Sequence, residues 1–384
     1  MMTHINKNKF SYIYIFILSA CIFLRVMSSA MIEGNQLVFS HLSSLATKSS
    51  IIVLFFMFLL NKKIKKNKLV VFLLSTFFIL LIYISSNNLF LVQILCFIIA
   101  YPKDISSKDI SKYMSIILLF STLLVIILYK LNYATNIIVV REGIMRNSYG
   151  FSSPNVIANY SLLIFLSVAY SKQNNWKFKD SILCFLISLF VYSFTNSRMS
   201  FLLSTILSIV MLVSTLKKEN DINKIHNISL YCFAISSFIS ILFSYLYMNN
   251  NYYQKMQGLN ELLSYRLSYT SKYLQMPGIS AFGKEMIFVS NKQALLTGER
   301  WSGLDNSYVY ILVSWGIIGF LIYLLSIIKL HKFLLKEKNY YAFIVLIFLS
   351  IIGITENYLA SVCTNLSVIF VAEMMNKKYR IEEE

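Results

Sequence analysis

The sequence predicts an all-α polytopic membrane protein, and three observations carry that prediction. Of the 384 residues, 57% are hydrophobic and 14% charged, with a mean hydropathy of +0.64. A soluble domain carries about 45–50% apolar and about 25% charged residues. Runs such as 69–84 and 228–247 are near-continuous Leu, Ile, Phe, Tyr and Val, close to the ~20 residues that carry a helix across the bilayer core. Lysines gather in the short gaps between such runs, most plainly Lys62, Lys63, Lys65, Lys66 and Lys68, as they do in cytoplasmic loops. With 3 Pro and 11 Gly the chain is neither a linker-rich assembly nor a low-complexity tract.

Taken in order, the apolar runs place spans near 10–30, 49–60, 69–86, 88–101, 114–130, 156–171, 181–195, 200–216, 228–248, 306–328, 341–355 and 357–375. That is about twelve transmembrane helices in one integral membrane domain, 1–384, with the second, fourth and eleventh runs short for a full crossing. The first run has a basic lead but no small-residue cleavage site, so it reads as a helix and not as a removable signal. An even count puts both termini on one side. Segments 1–9, 61–68, 102–113, 172–180, 217–227, 329–340 and 376–384 then face the cytoplasm and hold 23 of the 35 basic residues, which orients the chain N-in and C-in.

Two segments on the opposite side are long, 131–155 and 249–305. The second is the long extracytoplasmic loop, and residues 259–274 in it read as an amphipathic helix. At 100° per residue Leu259, Leu262, Leu263, Leu267, Tyr273 and Leu274 share one arc, with Glu261, Ser264, Ser268 and Lys272 opposite. Arg266 falls inside the apolar arc.

A net charge of +18 invites a nucleic-acid reading, but no segment is long and polar enough to fold into a basic soluble face. Cys21, Cys96, Cys184, Cys232 and Cys363 lie in or beside apolar runs with no CxxC pair, which argues against a disulfide framework or a zinc site. His4, His41, His226 and His331 are scattered, and there is no HExxH and no Walker-type loop. No metal or other cofactor is expected.

Arginine runs against the inside bias of lysine. Arg25, Arg141, Arg146, Arg198, Arg266 and Arg300 fall on or near the outer side, and only Arg380 is cytoplasmic. A guanidinium is a fixed, always-charged fork suited to phosphate or carboxylate. Arg25 and Arg300 read as solvated loop residues, whereas the group as a whole points to an anionic ligand at the outer face. Arg146, Asn147, Pro154 and Asn155 lead into the sixth span, where Gly150 allows a turn, Ser153 can cap and Pro154 can begin the helix. The free N–H groups there, with Arg146 close by, make either a phosphate seat or an ordinary capped helix start. Arg198, in a turn too short to lift it into water, sits at bilayer depth, facing the interior or snorkelling to the headgroups. Asp305, before Asn306 and Tyr308, is either an N-cap or a general base. Glu356 and Asn357 form another polar pair in apolar surroundings.

In this order along the chain, the motifs resemble the Wzy-type polysaccharide polymerases of the O-antigen ligase and polymerase superfamily. The likeness covers roughly 140–330, and the first 130 residues by topology alone. Four features carry it: Arg146 with Gly150-Phe151, Pro154 and Asn155; Asn196-Ser197-Arg198; Arg266 followed by Pro277 and Gly283; and Asp305-Asn306-Ser307-Tyr308 running into Gly316-Ile317-Ile318-Gly319. The resemblance implies a metal-independent GT-C-like fold in the bacterial cytoplasmic membrane. It implies an enzyme that joins oligosaccharide units carried on undecaprenyl diphosphate at the outer face, for O-antigen, capsule or exopolysaccharide, beside membrane lipid, a chain-length regulator and a flippase. Arg198 and Arg266 would then stabilise the diphosphate and Asp305 would take the acceptor proton. Arg146, Asn147, Pro154, Asn155, Asn306, Tyr308 and Glu356 would bind substrate. Ligases of the superfamily carry histidine where this chain has Asp305, which favours a polymerase over a ligase. A flippase for the same lipid-linked units is the rival from another class, and it should carry basic residues within its spans.

Overall fold

The computed structural model describes residues 9–34, 37–60, 66–216, 221–289, 293–294, 297–299 and 302–381. Lys62, Lys63, Lys65, Arg300 and His4 lie outside these residues. Fifteen α-helices and one β-hairpin are described. Eight of the helices are long and apolar enough to cross a membrane, which makes the chain a multi-pass, all-α membrane protein. They are α1 (Lys9–Ser28), α2 (Val38–Leu60), α5 (Ser107–Lys130), α6 (Pro154–Lys172), α7 (Phe178–Thr195), α8 (Arg198–Leu216), α9 (Ile222–Met248) and α13 (Gly316–Lys336). The others are α3 (Lys66–Ser86), α4 (Leu89–Ile99), α10 (Asn250–Leu262), α11 (Arg266–Gln275), α12 (Ser307–Ser314), α14 (Tyr340–Thr355) and α15 (Leu366–Ile381). The chain divides into two compact units, Met1–Ser50 with Pro102–Asp221 and Ile51–Tyr101 with Ile222–Glu384.

In the first unit the ends of the helices are fixed by local chemistry. Ser153 caps α6 by accepting from the Asn155 N–H, with Pro154 at the first helical position. Asn196 ends α7 in the left-handed region, which asparagine tolerates, so α8 follows after a two-residue turn. Segment 131–155 contains an antiparallel hairpin, β1 (Ile138–Arg141) and β2 (Ile144–Asn147), closed by Glu142 and Gly143, both at positive φ. Ala30 pairs with Phe151 and Ile32 with Ala134, and the Met31 N–H donates to the Gly150 carbonyl at 2.8 Å. The last turns of α1, α5 and α7 and the first turns of α6 and α8 therefore meet at one end of this unit.

The second unit departs from the sequence reading in three places. The amphipathic helix expected over 259–274 is two helices, because Ser264 and Tyr265 adopt left-handed conformations. Leu262 is consequently exposed, while Leu267, Tyr273 and Leu274 are buried. The tenth span is broken at Trp315, where Gly316 takes positive φ and segment 280–284 packs into the break. The Ile317 and Ile318 N–H groups donate to the Ser280 and Ala281 carbonyls at 3.0 and 3.1 Å, and the Lys284 N–H donates to the Val313 carbonyl. In place of the twelfth span expected over 357–375, a helix begins only at Leu366, and it is not one of the eight helices long and apolar enough to cross a membrane. Residues 356–365 are turns, held by Asn365, which donates to the Leu359 carbonyl at 2.7 Å and accepts from Ser367. Irregular backbone buried in protein is tolerated when side chains satisfy it in this way.

Candidate functional site

In the first unit Arg146 is the buried arginine. Its Nε donates to the Thr195 carbonyl at 2.6 Å and its Nη2 to Asn155 Oδ1 at 2.5 Å. Arg146 thus fastens the hairpin to the end of α7 and the start of α6. Asn147 accepts at Oδ1 from Asn136 Nδ2 at 2.8 Å. Asn136 in turn accepts from the Ser148 and Tyr149 N–H groups. These partners are spent on the fold, which explains the pattern at 146–155 without a ligand.

Of the two placements the sequence leaves open for Arg198, its exposure fits the one at the surface and not the one facing the interior. Its side chain is half-exposed at the start of α8 and its Nη2 donates to Glu142 at the tip of the hairpin. Arg141 lies 3.5 Å from the other oxygen of the same carboxylate. The hydrogen bond from Arg198, with the charges of both arginines, holds the Glu142 carboxyl below its ordinary pKa. An ion pair so exposed contributes little to stability, which leaves Arg198 able to exchange Glu142 for another anion.

The second unit brings together Arg266, Asp305, Asn306, Tyr308 and Glu356. Arg266 is the first residue of α11, and its Nη2 donates to Glu356 Oε1 at 2.9 Å, with both side chains mostly buried. Its Nε is buried with no hydrogen-bond partner. Asn306, and not Asp305, caps α12: its Oδ1 accepts from the Tyr308 and Val309 N–H groups at 3.1 Å, and its Nδ2 donates to the Ile354 carbonyl. Ser307 Oγ donates to the Glu356 carbonyl at 2.6 Å and accepts from the Leu359 N–H. The start of α12 is thereby tied to the end of α14. Tyr308 is wholly buried and donates to the Ser350 carbonyl at 2.9 Å, so its hydroxyl serves packing.

Asp305 stands one residue outside the cap. Its carboxyl has no hydrogen bond to the described residues. Burial pushes its pKa above the usual carboxylate value, and the Arg266 charge opposes that rise. A carboxylate that holds its proton longer can accept a proton, and a guanidinium with an unspent donor whose charge reaches it can bind an anion.

Comparison with family models, curated protein sequences and solved structures returns no match.

Glu142 is the residue that sequence reasoning missed. The signal was the apolar stretch Ile138 to Met145 interrupted by Arg141-Glu142-Gly143, where the glycine allows the turn of a two-residue hairpin. The histidines also differ from expectation: the His226 and His331 rings lie 5.9 Å apart, against Phe343. His331 accepts from Ser229 at Nε2 and donates from Nδ1 to the Ile327 carbonyl, both at 2.9 Å. Among the described residues no three His, Cys, Asp or Glu side chains converge on a metal position.

Proposed function

We propose that the chain is a Wzy-type polymerase that joins undecaprenyl-diphosphate-linked oligosaccharide units at the outer face of the bacterial cytoplasmic membrane. It would use about twelve spans, a GT-C-like arrangement and an N-in, C-in orientation. The observation that supports the reading best is that Asn306 supplies the helix cap, which leaves the Asp305 carboxyl unused and within the field of the Arg266 charge. Asp305 takes the proton of the acceptor hydroxyl as that oxygen attacks the anomeric carbon of the lipid-linked chain. The bond from that carbon to the diphosphate oxygen breaks, and the lipid diphosphate leaves with the electron pair. Arg266 stabilises the charge that develops on it, a role that fixed donors perform well in a site poor in water, and Arg198 is the anion-binding arginine proposed for the first unit. No nucleotide is needed, because the sugar–diphosphate bond is already activated. Glu356 keeps the Arg266 fork aimed.

The direct test is to supply the purified protein in vesicles with lipid-diphosphate-linked repeat units. A ladder of lengthening products is expected, and unchanged single units would overturn the reading. Orientation is tested separately: a reporter fused after Lys66 should read as cytoplasmic and one near Gln293 as external. An internal 249–305 segment would remove the outer-face mechanism. Arg198→Lys keeps the charge but loses the planar fork. It should cut polymer formation at least about tenfold, equivalent to ~1.4 kcal/mol at the transition state, with expression unchanged. Full activity in that variant would reduce Arg198 to a surface partner of Glu142.

A further inference from the structure

An isolated two-stranded hairpin is marginal in water, and β1–β2 leaves one apolar face bare. The register pairs Val140 with Met145 and Ile138 with Asn147, so Ile138, Val140 and Met145 share a face. They are 57%, 63% and 70% exposed. The opposite face carries the pairs Val139–Arg146 and Arg141–Ile144; Val139 and Ile144 are less exposed, at 38% and 49%, and Arg146 is buried against the ends of α6 and α7. The hairpin is therefore anchored through Arg146, and its Ile138–Val140–Met145 face is open. Leu131 and Tyr133, just before it, are exposed as well.

Its position says what covers the open side. The hairpin follows the last turn of α5, and β2 lies against α7. Both helices are membrane-crossing, and their exposed sides are apolar: Phe120, Leu123 and Ile127 on α5, Leu186, Leu189 and Phe190 on α7. Lipid covers those surfaces. At the ends of the two helices the rings of Tyr129, Tyr149, Phe194 and Phe190 form a chain, with neighbouring centroids 5.3, 4.4 and 5.5 Å apart. Lys130 Nζ lies 5.7 and 5.8 Å from the first two rings. Tyrosine and lysine so combined mark the headgroup level of a bilayer.

We infer that the hairpin is a membrane-surface element, with Ile138, Val140 and Met145 seated among lipid chains just beneath the headgroups. Its charged tip, Arg141 and Glu142, stays at headgroup level. The bare face continues the lipid-facing sides of α5 and α7, and the basic residues beside it match lipid phosphates, so the occupant is the bilayer. Amphipathic elements dock in this way when one face is apolar and the rim is charged. The leaflet then helps hold Arg146 and Glu142 at headgroup depth, whatever reaction the chain performs.

The test places single thiols at Val140→Cys and Met145→Cys, labels each with an environment-sensitive fluorophore, and reconstitutes the full chain in lipid vesicles. Leu186→Cys on the exposed side of α7 is the lipid reference and Asn175→Cys, in the exposed turn before α7, the water reference. The parent chain labelled in parallel corrects for its own cysteines. Both hairpin probes should be quenched several-fold more by lipids spin-labelled near the headgroup end of the acyl chain than the probe at Asn175, and little by aqueous iodide. Quenching by iodide, with none from the spin-labelled lipid, would overturn the inference. Protection from both quenchers would also overturn it, by putting protein on that face.

Discussion

Asp305→Asn is expected to remove polymer formation by about a hundredfold or more, the lower part of what a positioned general base contributes, while the protein reaches the membrane at normal levels. The substitution keeps size and shape and deletes only the ability to hold a negative charge and take a proton. Had Asp305 capped α12, asparagine would have served as well, and the variant could not separate the two roles. Because Asn306 holds the cap, the separation is clean. Single lipid-linked units should accumulate in the variant. The pH profile gives a second readout. With its pKa raised by burial, Asp305 stays protonated to a higher pH than an ordinary carboxylate. Activity should therefore rise with pH along a limb displaced upward from the usual carboxylate range, and the residual activity of the variant should lack that limb. Asp305→His puts back a side chain that can take a proton and should retain part of the function. A normal ladder from Asp305→Asn would move the base elsewhere, with Glu356, the partner of Arg266, as the next carboxylate to replace.

Much of the membrane architecture was legible because lipid imposes a simple rule on sequence. A helix that spans must be apolar along its length, and α1, α5, α6, α7, α8 and α9 coincide with apolar runs, whereas α13 begins half-way along the tenth run and continues past its end to Lys336. The helix α2 begins at Val38, well before its apolar run, because Ser, His, Thr and Lys48 dilute its first turns without breaking them. The breaks were not legible, since they depend on partners distant in sequence. Nothing near Trp315 announces that segment 280–284 will satisfy the N–H groups after it. The stop at Ser264 and Tyr265 uses left-handed residues that are neither Gly nor Asn. At the candidate site, residue type was easier to read than role. Arginine against the inside bias pointed to Arg146, Arg198 and Arg266 alike. Only the geometry divides them, with Arg146 bound to backbone and amide, Arg198 paired at an exposed hairpin tip, and Arg266 paired with the mostly buried Glu356. Burial, which sequence periodicity conveys poorly over short segments, made the difference.

Gly316→Ala should destabilise the protein by about 4 kcal/mol, which is at the upper end for a point mutation. Two glycines make the contact at the break. A Cβ on Gly316 would lie 2.2 Å from the Gly283 nitrogen and 2.5 Å from the Ala281 carbonyl oxygen. One on Gly283 would lie 2.1 Å from the Ser314 carbonyl oxygen. Both residues have positive φ, +72° and +83°, which costs an alanine about 1–2 kcal/mol before any clash. The obstacles are backbone atoms, so no side chain can rotate aside. The segments must part, and the hydrogen bonds from Ile317, Ile318 and Lys284 weaken at about 0.5–1.5 kcal/mol each. Gly258→Ala is the contrast. It lies within α10 with open space where the methyl would go, and the substitution should be neutral or stabilising by up to ~1 kcal/mol. Thermal midpoints in detergent for the three chains decide the matter, and a parent-like midpoint for Gly316→Ala would mean that the break is not held by this contact. The consequence reaches the candidate site, because α12 is the eight-residue helix between the break and Asn306. Its far end is fixed by the Gly283–Gly316 contact and its near end by Ser307 and Asn306 against the end of α14. Loosening the far end frees the helix to shift, and Asp305 shifts with it relative to Arg266. Any Gly316→Ala protein that still reaches the membrane should therefore lose activity out of proportion to the amount lost.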